Sequence, residues 1–63
     1  MEKHYRLSIY IRDDDFSIEQ SVRTVDSYFT LELALNNYVK FGVLHNNVYY
    51  PGHTIRRIEI NEL

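Results

Sequence analysis

Apolar and polar residues alternate strictly near the start of the chain. Tyr5, Leu7, Ile9 and Ile11 interleave with His4, Arg6, Ser8, Tyr10 and Arg12. A period of two sends the first set to one side of an extended backbone and the second to the other, so residues 4–12 are expected to form a half-buried strand of an antiparallel sheet with one wet face. Asp13, Asp14 and Asp15 end it, because aspartate binds its own backbone in turns and fits strands poorly. Residues 16–28 carry two patterns at once. Ile18, Val22, Val25 and Phe29 keep helical spacing, and Ser17 with Gln20 resembles a capping box. The β-branched Val22, Thr24 and Val25 and the acidic turn before them favour a returning strand, which is the preferred reading.

A second helical stripe is unambiguous. Leu31, Ala34, Leu35 and Tyr38 line one side of a helix over residues 30–41, which Ser27 or Thr30 can cap and Gly42 can end in a left-handed conformation. Beyond it, Val43-Leu44-His45 and Val48-Tyr49-Tyr50 flank Asn46-Asn47, a pair that tolerates the positive φ of a tight hairpin. Pro51-Gly52 punctuates, and residues 54–60 form a last strand. Ile58 and Ile60 share a phase that Ile55 breaks, which predicts a bulge or a change of face near Arg56-Arg57. The expected fold is α+β, in the order β-β-α-β-β: an antiparallel sheet of about four strands with one helix packed across it, in a single domain over residues 1–63.

Composition narrows the functional classes. With 44% hydrophobic residues and six tyrosines, 63 residues make a globular domain near the small end of what folds alone. There is no cysteine, hence no disulfide or thiolate metal site, so a partner chain or a second copy is the natural source of added stability. Net charge is −2, without the basic footprint of a duplex-binding protein. No apolar run is long enough to span a bilayer, and Met-Glu-Lys-His lacks the apolar segment of a signal peptide, so a cytoplasmic location is expected.

The chemistry-bearing residues each have a plainer explanation. Asp13-Asp14-Asp15 offers hard oxygen ligands but has neither the spacing nor the closing glutamate of a calcium loop, and reads as a solvated turn. His4, His45 and His53 are too scattered for a zinc site, and none stands at a spacing that pairs it with a nucleophile or carboxylate. No cofactor, metal, small-molecule substrate or enzymatic activity is expected. The acids from Asp13 to Asp26 are too sparse to favour mimicry of a nucleic acid.

The stretch richest in recognition chemistry is residues 49–57. Tyr49, Tyr50, His53, Arg56 and Arg57 are the candidate binding residues, because Tyr and Arg bury large areas at interfaces while keeping a polar handle. The same side chains could stack on single-stranded bases and meet phosphates, which makes a single-stranded nucleic-acid binder the alternative. The plain alternative is one core tyrosine, one exposed tyrosine and solvated arginines. If the first and last strands are neighbours, Arg6, Tyr10 and Arg12 share a face with one of the two arginines.

The ending Tyr-Tyr-Pro-x-x-x-Ile-x-x-Ile-Glu-Ile, Tyr49 to Ile60, follows a Leu-x-x-Ala-Leu helix. In this it resembles the short α+β proteins of Gram-positive phages and prophages. The resemblance implies an accessory protein that acts by binding a host or phage component. The function expected is a non-enzymatic protein-interaction module whose partner is another protein or a second copy of itself.

Overall fold

The computed structural model describes residues 2–13, 15–25 and 29–63. Strand β1 (Lys3–Ile11) runs antiparallel to β2 (Ser17–Thr24). Helix α1 (Phe29–Phe41) follows, then a hairpin of β3 (Val43–His45) and β4 (Val48–Tyr50), a 3-10 turn at Gly52–Thr54, and β5 (Ile55–Glu62). The fold is α+β, as the pattern predicts. The five strands among the described residues divide between two sheets: β2-β1-β5, with β1 in the middle, and the separate hairpin β3-β4.

Residues 17–24 are a strand, so the helical spacing there is not used, and Ser17 and Gln20 form no capping box. The ambiguity has a simple cause. Ile18 and Val22 are four apart, which satisfies both a period of 3.6 and a period of two. In the strand they sit on the inner side beside Ile9 and Tyr5, and Ile18 is fully buried. Val25, which the helical pattern would bury, is 76% exposed. The nine residues of β1 supply the ladder that an isolated helix of β-branched residues would lack.

Tyr5, Leu7, Ile9 and Ile11 are all buried, as their alternation requires. Two clusters share this row. Ile9, Ile11, Ile18 and Val43 close one end, with Tyr38, Tyr50, Ile55 and Ile58 packed around them. Tyr5, Leu7 and Leu31 close the other, with Val22, Leu35, Tyr38 and Ile58. The helix thus buries the stripe read from the sequence, with Leu31 deepest. It lies over the β2 side of the sheet. The hairpin covers the far end of the same face through Val43.

The bulge falls where the phase of the isoleucines breaks. Tyr10 pairs with Arg57 and Ile11 with Ile55, so Arg56 is the extra residue. That insertion turns Ile55 to the inner side, where Ile58 also packs, although they are three positions apart. Turn residues behave as their chemistry demands. Asn46 and Asn47 have φ of 51° and 65°, the pair of left-handed residues a two-residue hairpin turn requires. Asp13 has φ of 70° between β1 and β2. Asp14, and the capping candidate Ser27, lie outside the described residues; Thr30 is within the first turn of α1. No helix among the described residues is long and apolar enough to cross a membrane.

Gly42 ends α1 with φ of 85°, and its N–H donates to the Tyr38 carbonyl at 2.8 Å. This is the left-handed helix stop, and here it also clears space: a Cβ at Gly42 would overlap the Tyr50 carbonyl oxygen. Gly42→Ala is therefore expected to destabilise the fold by at least about 1–2 kcal/mol, the cost of the left-handed backbone alone, read from the urea unfolding midpoint. Burial also raises the Tyr38 phenol above its ordinary value. The stability this represents is complete below the ordinary phenol range, about pH 10, and is lost as pH rises through the raised value. Tyr38→Phe is expected to flatten this alkaline loss, which a pH series of unfolding curves measures.

Candidate interaction surface

The hairpin register follows from its turn. With Asn46-Asn47 at the tip, Val43 pairs with Tyr50, Leu44 with Tyr49 and His45 with Val48. Alternation then divides the hairpin. Val43 and Tyr50 face inward onto Ile9, Ile11 and Ile18, where the Phe16 ring meets Tyr50 edge-on at 6.3 Å between centroids. Leu44 and Tyr49 face away from the core, 66% and 58% exposed. Phe41, the last residue of α1, is 60% exposed. The Tyr49 hydroxyl donates to the Phe41 carbonyl at 2.5 Å, one of the last carbonyls of α1, which have no partner within the helix. That bond fixes the Tyr49 ring beside Phe41. The Lys40 ammonium lies 5.3 Å from the Phe41 ring centroid, so a cation borders the apolar face.

A second surface is the open side of the three-stranded sheet, opposite α1. Its middle row is His4, Arg6, Ser8 and Tyr10 from β1; Ser17, Glu19, Ser21 and Arg23 of β2 flank it on one side, Arg57, Glu59 and Asn61 of β5 on the other. The Arg57 guanidinium lies 4.1 Å from the Tyr10 ring centroid, and its Nε is 2.9 Å from Glu59 Oε2. Glu19 accepts hydrogen bonds from Ser17 Oγ at 2.7 Å and Ser8 Oγ at 3.0 Å. The Ser17 bond first and the Ser8 bond next hold the Glu19 carboxyl below its ordinary value, against an opposing effect of desolvation, with the charge of Arg6 the smallest contribution. This face is a lattice of matched charges and hydroxyls rather than a field of one sign. At one end of it, Nε2 of His4 is enclosed and has no hydrogen-bond partner.

The five candidates of residues 49–57 therefore separate. Tyr50 packs on the core, Tyr49 stands on the outer hairpin face, and His53 is exposed on the 3-10 turn. Arg56 is exposed at the bulge. Arg57 joins Tyr10 on the opposite face of the sheet from Tyr50, as the adjacency of the first and last strands requires. A stacking surface that uses both tyrosines and both arginines is not brought together. Sequence reasoning missed Leu44 and Phe41. Leu44 was recoverable, because a two-residue turn at 46–47 places it opposite Tyr49. Phe41 stands three positions beyond Tyr38 at the spacing of the stripe, so its exposure was not expected, and the Tyr49 bond ties its carbonyl to the hairpin. Among the described residues there is no pocket and no group of three or more His, Asp or Glu placed to hold a metal ion. Compared with protein-family models, curated proteins and solved structures, the chain has no match.

The Glu19 network has a pH signature. Because the folded state lowers this carboxyl, the stability it contributes is present above the ordinary carboxylate range, about pH 4.3, and is lost as pH falls through the lowered value. Glu19→Gln is expected to lower the unfolding midpoint slightly near neutrality and to converge with the parent as pH falls to about 3, so that the acid-side loss is smaller in the variant.

Proposed function

We propose that this protein is a non-enzymatic interaction module that binds another protein through the outer face of the β3–β4 hairpin, as an accessory protein of a phage or prophage. The observation that carries the reading is the exposure of the cross-strand pair Leu44 and Tyr49 on the outer hairpin face, with Tyr49 bonded to the end of α1 where Phe41 is also exposed. A domain of this size has little apolar surface to spare for its own core. Large apolar side chains left outside it, paired across the hairpin, are the kind of feature that marks a contact site. Tyr49 is held in place before any partner arrives, which lowers the ordering cost of binding, and its ring combines area with a polar end. The phage assignment rests on the Tyr49–Ile60 resemblance and states where such a partner is to be sought, among host and phage proteins.

The test is a photo-crosslinking amino acid at Leu44, with the same group at Asn37 of α1 as a control. In lysate of a phage-bearing Gram-positive host, a discrete adduct from position 44 and none from position 37 is expected. Purified with its partner, Phe41→Asp is expected to weaken binding by about tenfold or more while unfolding midpoints stay close to the parent. Equal labelling from both positions would count against the hairpin face. Fluorescence anisotropy with a single-stranded oligonucleotide at low salt covers the nucleic-acid alternative: binding that weakens on Arg56→Ala with Arg57→Ala would displace the protein-partner reading.

A further inference from the structure

We propose that a second copy of this chain pairs with the open edge of β5, so that two three-stranded sheets join antiparallel through a two-fold axis at Ile58. This surface is separate from the hairpin face and goes beyond the function proposed for it. Strand β5 is an edge of the sheet order β2-β1-β5, eight residues long and without proline. The bond from the Leu63 N–H to the His4 carbonyl fixes the phase of its ladder. Alternation then turns the backbone groups of residues 57, 59, 61 and 63 toward β1, and those of Ile58, Ile60 and Glu62 toward the open edge. Those edge groups are a ready template for another strand.

Three observations select a second copy as the occupant and β5 as the edge. First, β5 reads Ile-Arg-Arg-Ile-Glu-Ile-Asn-Glu, with its cations in one half and its anions in the other. A strand polarised in this way is complementary to itself when antiparallel. Second, only certain registers are allowed. A slip of one residue would mix the two faces of the sheet. Pairing centred on Glu59 would set that carboxylate against its own copy. Centred on Ile58, Arg57 of each chain lies opposite Glu59 of the other, on the face where the two already meet at 2.9 Å within one chain. Nε makes that contact, and a guanidinium carries further donors. Third, the helix lies over the β2 side. At the β2 edge, Ile18 and Thr24 are already buried; at the β5 edge, Ile60 is 45% exposed although it faces the same side as the buried Leu7. Pairing at β5 would set Ile58 and Ile60 of both copies as a floor between two helices. One short strand per copy makes a small interface, so the dimer is reversible.

Sedimentation equilibrium from about 10 µM to about 1 mM, the range for an interface at the small end, is expected to show a monomer–dimer equilibrium. Ile60→Pro removes one outward N–H and is tolerated at a free edge; it is expected to weaken dimerisation at least about tenfold while circular dichroism stays that of the parent. Arg57→Glu is expected to weaken it as well, and Arg57→Glu with Glu59→Arg to recover it. Amide exchange reads the edge without any substitution: the N–H groups of Ile58 and Ile60 are expected to gain protection as concentration rises. A monomer throughout the range, a dimer unchanged in folded Ile60→Pro, or edge amides unprotected at high concentration would overturn the proposal, and if Ile60→Pro fails to fold the exchange measurement decides it.

Discussion

Strand β1 is the member on which everything else rests. It is the only strand with a hydrogen-bonded neighbour on each side among the described residues, and its inner row of Tyr5, Leu7, Ile9 and Ile11 is the floor of both core clusters. The helix reaches that floor through Leu31, the hairpin through Val43, and β5 through Ile55 and Ile58. In so small a domain, no second layer of core takes over if this row is disturbed. Stability of about 3–9 kcal/mol is typical for a chain of this length, while emptying one buried aliphatic site costs about 2–5 kcal/mol. Polar contacts at the rim, such as Lys3 with Glu62 at 3.7 Å, contribute much less because water screens them.

The opposite side of the sheet is organised by different forces. There, charge matching and aromatic contact replace burial: Tyr10, Arg57 and Glu59 form one group and Ser8, Ser17 and Glu19 another. Such a face stays in water at little cost and keeps its side chains ordered. The apolar side chains that remain exposed lie elsewhere: Phe16 and Val25 flank β2, Phe29, Leu33, Val39 and Phe41 lie along α1, Leu44, Val48 and Tyr49 are on the hairpin, and Ile60 and Leu63 are in and just after β5. This distribution follows from geometry. One helix is too narrow to cover three strands, and a two-stranded hairpin has only one face to bury.

Several local features were legible from residue types alone, each for a reason that acts within a few residues. Alternation put β1 in place. The stripe from Leu31 to Tyr38 fixed the buried side of α1, and Gly42 and the Asn46-Asn47 pair chose their conformations through their tolerance of positive φ. Even the bulge at Arg56 could be read, since Ile55 and Ile58 cannot otherwise share a face. Residues 17–24 were less clear, because Ile18 and Val22 suit a helix as well as a strand until a neighbouring strand supplies a ladder.

The candidate surface was legible only in outline. Sequence by itself determined where the recognition-rich residues are and that the chain is an α+β domain, because composition and periodicity are local properties. Tertiary structure decided which of those residues share a face. Neighbours in a strand point to opposite sides, so Tyr49 and Tyr50 part company, one to the surface and one to the core. Strand order sent Arg57 across the sheet to Tyr10, forty-seven positions away in the chain. It also left β5 at an edge with Ile60 uncovered, a property of the assembled sheet that no stretch of residues carries on its own.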